Sequence, residues 1–380
     1  MKKIWAALLL LVGVLSATET RVNTFGGVAD FLKDDALALT YPSQILSFPG
    51  LLVLEAYDET TLTTGNAYLK GYFGLGENHS KGVFGAYLNI PVYDYPYRTI
   101  RGLMFSYGKY FGEKLAFGLN LGFGNYSITY EDTTPGVGFK NKESSSIISF
   151  NPGITFYLSE TDFIDAAFRF STHSFDVKNG VPPDTTKAKG TQDISFDARY
   201  MRSLSEYTSF VVGFHFLSSD NSTETRAGGQ TTEFTDKFSG FGLNLGINTQ
   251  PIDVLSFILG LQITSSSWDY GDAGKQGRFS LGAVTGLEAD LGKYFLLRLA
   301  ARKDIFGSYT DDYFSSPTGK LSITTQDLLP LALGFAYKRG NLRIDAQASP
   351  DIFYNGPYFI TGNQSTFFTS ISILYSFSSY

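Results

Sequence analysis

From Leu51 onward the chain repeats one unit, a segment of roughly 10 residues alternating apolar with polar or small side chains, followed by a turn. Successive side chains of a β-strand point to opposite faces, so such a segment has one apolar and one polar face. In Phe163–Val177, Ile164, Ala166, Phe168 and Phe170 share one face, and Asp165, Arg169, Ser171 and His173 share the other. The next segment sets Ile194, Phe196, Ala198 and Tyr200 against Asp193, Ser195, Asp197 and Arg199. Phe210, Val212, Phe214 and Phe216 continue the series, as do Phe295, Leu297 and Leu299 opposite Arg298 and Arg302. A soluble sandwich would bury its apolar face in a core and would not need faces so rich in Phe. The pattern predicts an all-β fold, a transmembrane antiparallel β-barrel with one face toward lipid and the other toward the lumen.

Connection lengths give the strand count. Short turns are expected near Glu77–Lys81, Phe111–Lys114, Ser159–Asp162, Leu204–Tyr207, Thr249–Asp253, Leu291–Lys293 and Lys338–Asn341. Between them lie longer polar stretches near Thr60–Gly65, Pro91–Tyr97, Glu131–Lys142, Lys178–Gly190, Asn221–Thr235, Gly271–Gln276, Phe306–Gln326 and Tyr354–Gln364. Alternating short and long connections separate the two rims of such barrels and give about 16 strands, with 14 as the alternative because alternation is weak before Gly108. The last strand places Ile371, Ile373, Tyr375 and Phe377 on one face, resembling the C-terminal signal read by the barrel assembly machinery.

The first 50 residues break the pattern. Lys2 and Lys3, an apolar run from Ile4 to Leu15, and small Ser16 and Ala17 have the form of a secretory signal spanning residues 1–17. The run is shorter than the roughly 20 residues a membrane-spanning helix needs. Residues 18–50 read as a short helical or irregular element stopped by Pro42, with Asp30 as a candidate helix cap, and residues 51–380 as the barrel.

Within that lead-in, Gly26-Gly27-Val28-Ala29 and Asp34-Asp35-Ala36-Leu37-Ala38-Leu39-Thr40-Tyr41-Pro42 are similar to the N-terminal segment of the outer-membrane long-chain fatty-acid transporter family. The family's Asn-Pro-Ala box is altered, since no Asn precedes Pro42 and Ser43 follows it. The resemblance implies a 14-stranded barrel, apolar small molecules as cargo, and a lumenal hatch to which Gly26, Gly27, Asp34, Asp35 and Pro42 would belong.

Composition narrows the function. The chain has no cysteine, which removes disulfides, Cys-based metal sites and thiol nucleophiles. Without Lys2 and Lys3, 28 Lys+Arg face 36 Asp+Glu, a net charge of −8, and a mildly acidic chain is a poor nucleic-acid binder. The three histidines, His79, His173 and His215, belong to no recognisable catalytic or metal motif, so neither enzyme chemistry nor a cofactor is expected. Small residues at Ala116, Gly118, Gly122, Gly124, Gly240, Gly242 and Gly246 face inward and leave room for a plug, a ligand or water.

The inward charges Asp165, Asp193, Asp197, Glu288 and Asp345, with Arg169, Arg199, Arg298, Arg302, Arg343 and His173, are the candidates for solute selectivity. The same set could equally be a salt-bridged interior. The expected function is passive passage of small molecules through an outer-membrane channel embedded in lipid. A non-transporting barrel serving as a structural or secretion partner is the alternative.

Overall fold

The structure is a computed structural model, and it describes residues 19–24, 29–32, 34–57, 66–95, 98–132, 139–179, 184–188, 191–227, 230–271, 274–311, 331–348 and 368–377. Residues 1–17, expected as a secretory signal, lie outside the described residues.

Strands dominate, as the alternation and the abundance of aromatic residues require. They are Leu51–Tyr57 (β1), Asn66–Gly74 (β2), Val83–Tyr95 (β3), Arg98–Phe111 (β4), Leu115–Asp132 (β5), Phe139–Tyr157 (β6), Phe163–Asn179 (β7), Asp184–Ala188 (β8) and Thr191–Ser205 (β9). Thr208–Ala227 (β10), Gln230–Ile252 (β11), Leu255–Asp269 (β12), Lys275–Asp290 (β13), Phe295–Asp311 (β14), Leu331–Arg339 (β15), Leu342–Ala348 (β16) and Phe368–Ser376 (β17) follow. Every pairing is antiparallel, and β1 closes the sheet on β17, with Leu51 opposite Ser376 and Tyr57 opposite Ser370. Both β8 and β9 lie between β7 and β10, β8 at one end and β9 along the rest, so together they form one stave. The barrel therefore has 16 staves, and the 14-strand alternative is set aside.

The two faces divide as the alternation predicts. Phe168, Phe196, Phe214, Phe241, Leu299, Ile373 and Tyr375 are exposed on the outside, whereas Asp165, Arg199, Val211, Asn244, Arg298 and Ser372 are buried inside. Phe111, Tyr207, Tyr294 and Phe295 are exposed at the short-turn end, the aromatic girdle expected at a membrane interface. An even, closed, antiparallel barrel with such a belt is the outer-membrane kind.

All seven short turns fall where expected, but several of the longer stretches are themselves strand. Asn221–Thr235, expected as a loop, is largely ladder: β10 and β11 stay paired through Ser222 opposite Thr235, Thr225 opposite Thr232 and Ala227 opposite Gln230. Beyond the lipid a strand needs no apolar face, and β-branched polar pairs such as these hold the ladder instead. For the same reason β5 and β6 pair as far as Asp132 opposite Phe139, and Lys178–Gly190 contains β8.

The N-terminal segment folds into the lumen. It comprises a helix at Glu19–Thr24 (α1), a 3-10 turn at Ala29–Phe31, a single helical turn at Leu37–Thr40 (α2) and a 3-10 turn at Pro42–Ser47. Phe31, Leu32, Leu37, Ala38, Tyr41 and Ile45 are almost wholly buried: Ala38 and Ile45 cluster with the wall residues Tyr72, Val83 and Tyr87, Phe31 and Leu32 with Val211 and Val284, and Leu37 and Tyr41 with Ala167. Pro42 opens its turn at the first position, where a missing N–H does no harm.

If this face assignment is right, Phe168→Arg, in the middle of the outer belt, should destabilise the inserted barrel by about 2–4 kcal/mol. Arg169→Ala next to it should leave stability within about 0.5 kcal/mol. Equilibrium unfolding from lipid vesicles would check both, and the opposite ranking would mean the register of β7 is off by one residue.

Candidate functional site

What could be functional here is the space that the N-terminal segment shares with the wall, where four groups of polar side chains join the two. On the β13–β16 side, Arg21 reaches Glu288 at 2.9 Å, Arg298 binds Glu288 at 2.5 Å and Asp345 at 2.6 Å, and Arg343 binds Asp345 at 2.9 Å. On the β1–β2 side, Lys70 lies 2.6 Å from Asp35 and 3.4 Å from Glu55, all three fully buried.

A third group stands on β6, β7 and β9. Arg199 contacts Asp165 at 2.6 Å, donates to the carbonyl of Leu32 at 3.0 Å, and lies over the Tyr41 ring. Gln44 donates to Asp165 at 2.7 Å, and the Ser43 and Thr155 hydroxyls are 2.8 Å apart. Charges taken out of water demand partners, and each of these has one at short range.

The fourth group is built around His215 on β10. Its Nε2 lies 2.5 Å from Asp30 and its Nδ1 2.7 Å from Asp197, while Asn244 donates to Asp30 at 2.7 Å and Tyr41 to the other Asp30 oxygen at 3.2 Å. Burial works to raise the Asp30 pKa, but the hydrogen bonds and charge around it, His215 first, hold it below the ordinary carboxylate value. An ionised carboxylate only accepts hydrogen bonds, so an imidazole with a carboxylate on each nitrogen donates from both and is an imidazolium. With neither nitrogen free, His215 is not placed to act as a base on a nucleophile. Asp30, a candidate helix cap by sequence, is instead the acceptor at this junction, because His215 and Asn244 offer charged and neutral donors that a short turn does not.

Asp34 takes the backbone N–H of Ala36 at 3.0 Å just ahead of α2, and burial together with neighbouring Asp35 pushes its carboxyl well above the ordinary value.

The wall is hollowed to fit the segment. Gly118 and Gly153 are opposite each other in register, and a Cβ on either would meet Pro42 at 2.1 or 2.7 Å. Gly246 and Gly260 are likewise register partners, and a Cβ there would strike the Phe31 ring at 2.5 or 2.2 Å. Side chains at these four positions would force the segment off the wall.

Between the segment and β6, β7 and β9–β12 lies a polar cavity of about 270 Å³ lined by Asp30, Asn151, Arg169, Asp197, His215, Asn244 and Gln262. It borders the least buried of the four junctions, where the His215 side chain is 32% exposed and Asp197 17% exposed.

The structure thus brings Asp165 with Arg199, and Glu288 with Arg298, Arg343 and Asp345, into ion pairs. It puts Arg169 and Asp197 at the cavity, and Asp34, Asp35 and Pro42 in the lumenal segment. His173, Asp193 and Arg302 lie on the inner faces of β7, β9 and β14, apart from the four junctions. Gly26 and Gly27 lie outside the described residues. Sequence reasoning passed over Arg21, Gln44, Glu55 and Lys70. Glu55 and Lys70 did carry a signal, each being a lone charge in a largely apolar strand.

No protein-family model matches the chain, and none of the curated proteins compared with it does. Among solved structures it is similar to the toluene transporter TodX of Pseudomonas putida, at 11% identity over 95% of this chain and 96% of that one, with a TM-score of 0.42. It is similar to a FadL homologue of Pseudomonas aeruginosa at 12% identity over 92% and 96%, TM-score 0.44. A third is the alcaligin outer-membrane receptor FauA of Bordetella pertussis, at 10% identity over 87% of this chain and 59% of that one, TM-score 0.44.

Arg298→Met would leave Glu288 and Asp345 without their shared cation. Breaking a buried pair from one side costs about 3–5 kcal/mol. The variant should therefore show protease cleavage within residues 19–50 under conditions in which the wild type resists it. Equal resistance would show that the junction does not hold the segment in place.

Proposed function

We propose that the protein is an outer-membrane transporter for small molecules in which the N-terminal segment is a hatch. The observation that carries this reading is the filling of the lumen: a folded element meets the inner wall at four junctions around the barrel. A barrel of 16 strands encloses an aqueous channel unless something fills it. A barrel with a purely structural role has no use for a separate lumenal element whose polar surface so closely matches the wall's.

The four junctions are not equal. The Lys70 and Arg199 junctions are fully buried and the Arg298 junction largely so, whereas the Asp30–His215–Asp197 junction is the most open, at His215, and borders the cavity. That junction is where the hatch yields, and Arg169 and Asp197, which stand beside it, are the inner-wall charges placed to select among solutes. His173, Asp193 and Arg302 line the lumen outside the junctions, and the ion-paired Asp165, Arg199, Glu288, Arg298, Arg343 and Asp345 act on selectivity only through the hatch they hold.

Deletion of residues 19–48, with the first 18 kept, tests the reading. The barrel should still insert, conduct more, and discriminate less between solutes in planar-bilayer recordings. Unchanged conductance and selectivity, with insertion verified for both proteins, would retire the hatch, whereas silence from both inserted proteins would favour the non-transporting reading.

A further inference from the structure

The cavity beside His215 has a composition that specifies a ligand. Among the described residues, the side-chain carbonyl oxygens of Asn151, Asn244 and Gln262 are buried without a hydrogen-bond partner, and all three residues line this one cavity. Two of the amides cannot simply be turned around. The Asn151 nitrogen donates to the carbonyl of Leu39 at 2.9 Å, and that of Asn244 donates to Asp30 at 2.7 Å. Reversal would set oxygen against oxygen, so their carbonyls remain acceptors in need of a donor.

The charges decide between two kinds of donor. The carboxylates of Asp30 and Asp197 are balanced by the imidazolium of His215 and the guanidinium of Arg169, so the lining carries no net charge. A cationic ligand would find no excess of negative charge to offset its loss of hydration. An ammonium group, moreover, brings only donors and could not accept from Arg169. A hydroxyl does both, donating to an amide oxygen and accepting from a guanidinium. An apolar solute would offer the three carbonyls no donor.

We propose that this cavity is a binding site for a small, uncharged, hydroxyl-rich solute of the polyol or sugar class. The assignment rests on the transporter reading above and names the solute class it would carry. It departs from the apolar cargo that the resemblance to fatty-acid transporters implies. The volume of about 270 Å³ lies just below the range of roughly 300–1,000 Å³ usual for ligand pockets, which fits a compact solute.

Calorimetric titration of the refolded full chain with glucose, methylammonium and toluene tests the site. Glucose should bind saturably and the other two should not. Gln262→Leu, which removes an acceptor without touching a hatch contact, should weaken glucose binding at least tenfold. Gln262→Glu, which adds a negative charge, should gain methylammonium binding. Retained heat-modifiable gel migration would confirm that each variant is folded. Absence of glucose binding by folded wild type, or binding indifferent to Gln262→Leu, would overturn the proposal. Liposome flux of the same three probes separates the two readings: glucose flux without saturable binding contradicts the site alone, and saturable binding without flux supports the site while contradicting transport.

Discussion

A charged side chain pointing into a barrel filled with protein has little water to turn to, and the arrangement of this molecule follows from that constraint. Taking an ion out of water costs several kcal/mol even after relaxation, and only a close, well-oriented partner offsets it. The wall presents Glu55, Lys70, Asp165, Arg199, Glu288, Arg298 and Asp345 inward, all buried or nearly so. Wall partners alone do not complete the set. Lys70 stands between Glu55 of the wall and Asp35 of the lumenal segment, and Glu288 stands between Arg298 of the wall and Arg21 of that segment. The position of the lumenal segment is thus written into the electrostatics of the strands around it.

Shape reinforces charge. The paired glycines Gly118 with Gly153 and Gly246 with Gly260 let Pro42 and Phe31 approach the wall more closely than any side chain would permit. Paired hollows of this kind locate an apolar group laterally, whereas ion pairs tolerate some sliding. Together they hold the lumenal segment against the wall at several points around the barrel. The junction at His215 has the same chemistry but more solvent, and the polar cavity lies there. A solute that occupied the cavity would sit against Asp30 of the lumenal segment.

The barrel was legible in the sequence because lipid imposes a strict period of two on whichever residues it touches. Ile164, Phe168, Phe196 and Phe214 could be assigned to the outer face from spacing alone, and the structure puts them there. Legibility failed where lipid ends. Thr225 and Thr232 read as loop residues because they are polar, yet they are cross-strand partners. It failed again in β1 and β2, where the inner face is itself apolar because it packs on the lumenal segment. Tyr68 and Tyr72 flank Lys70 on that face, so alternation fades and the lysine's role was hidden. The sequence did show the inward charges and the inward glycines. Which charges pair, and that the glycines serve Pro42 and Phe31, depends on contacts between different strands and between strands and the lumenal segment, such as Arg21 with Glu288 and Asp30 with His215, that no local pattern encodes.

If the hatch yields at Asp30, passage must stop when Asp30 is tied to the wall. Because the chain has no cysteine, a single introduced pair is a clean lock. The Cβ of Asp30 lies 3.3 Å from where a Cβ on Gly213 would stand, close to the spacing of about 3.5–4.5 Å that a disulfide spans. Solute flux through the Asp30→Cys, Gly213→Cys double variant in liposomes should be blocked when the pair is oxidised and restored on adding a reductant. Equal flux in the two redox states, with disulfide formation verified by mass spectrometry, would show that passage does not depend on this junction.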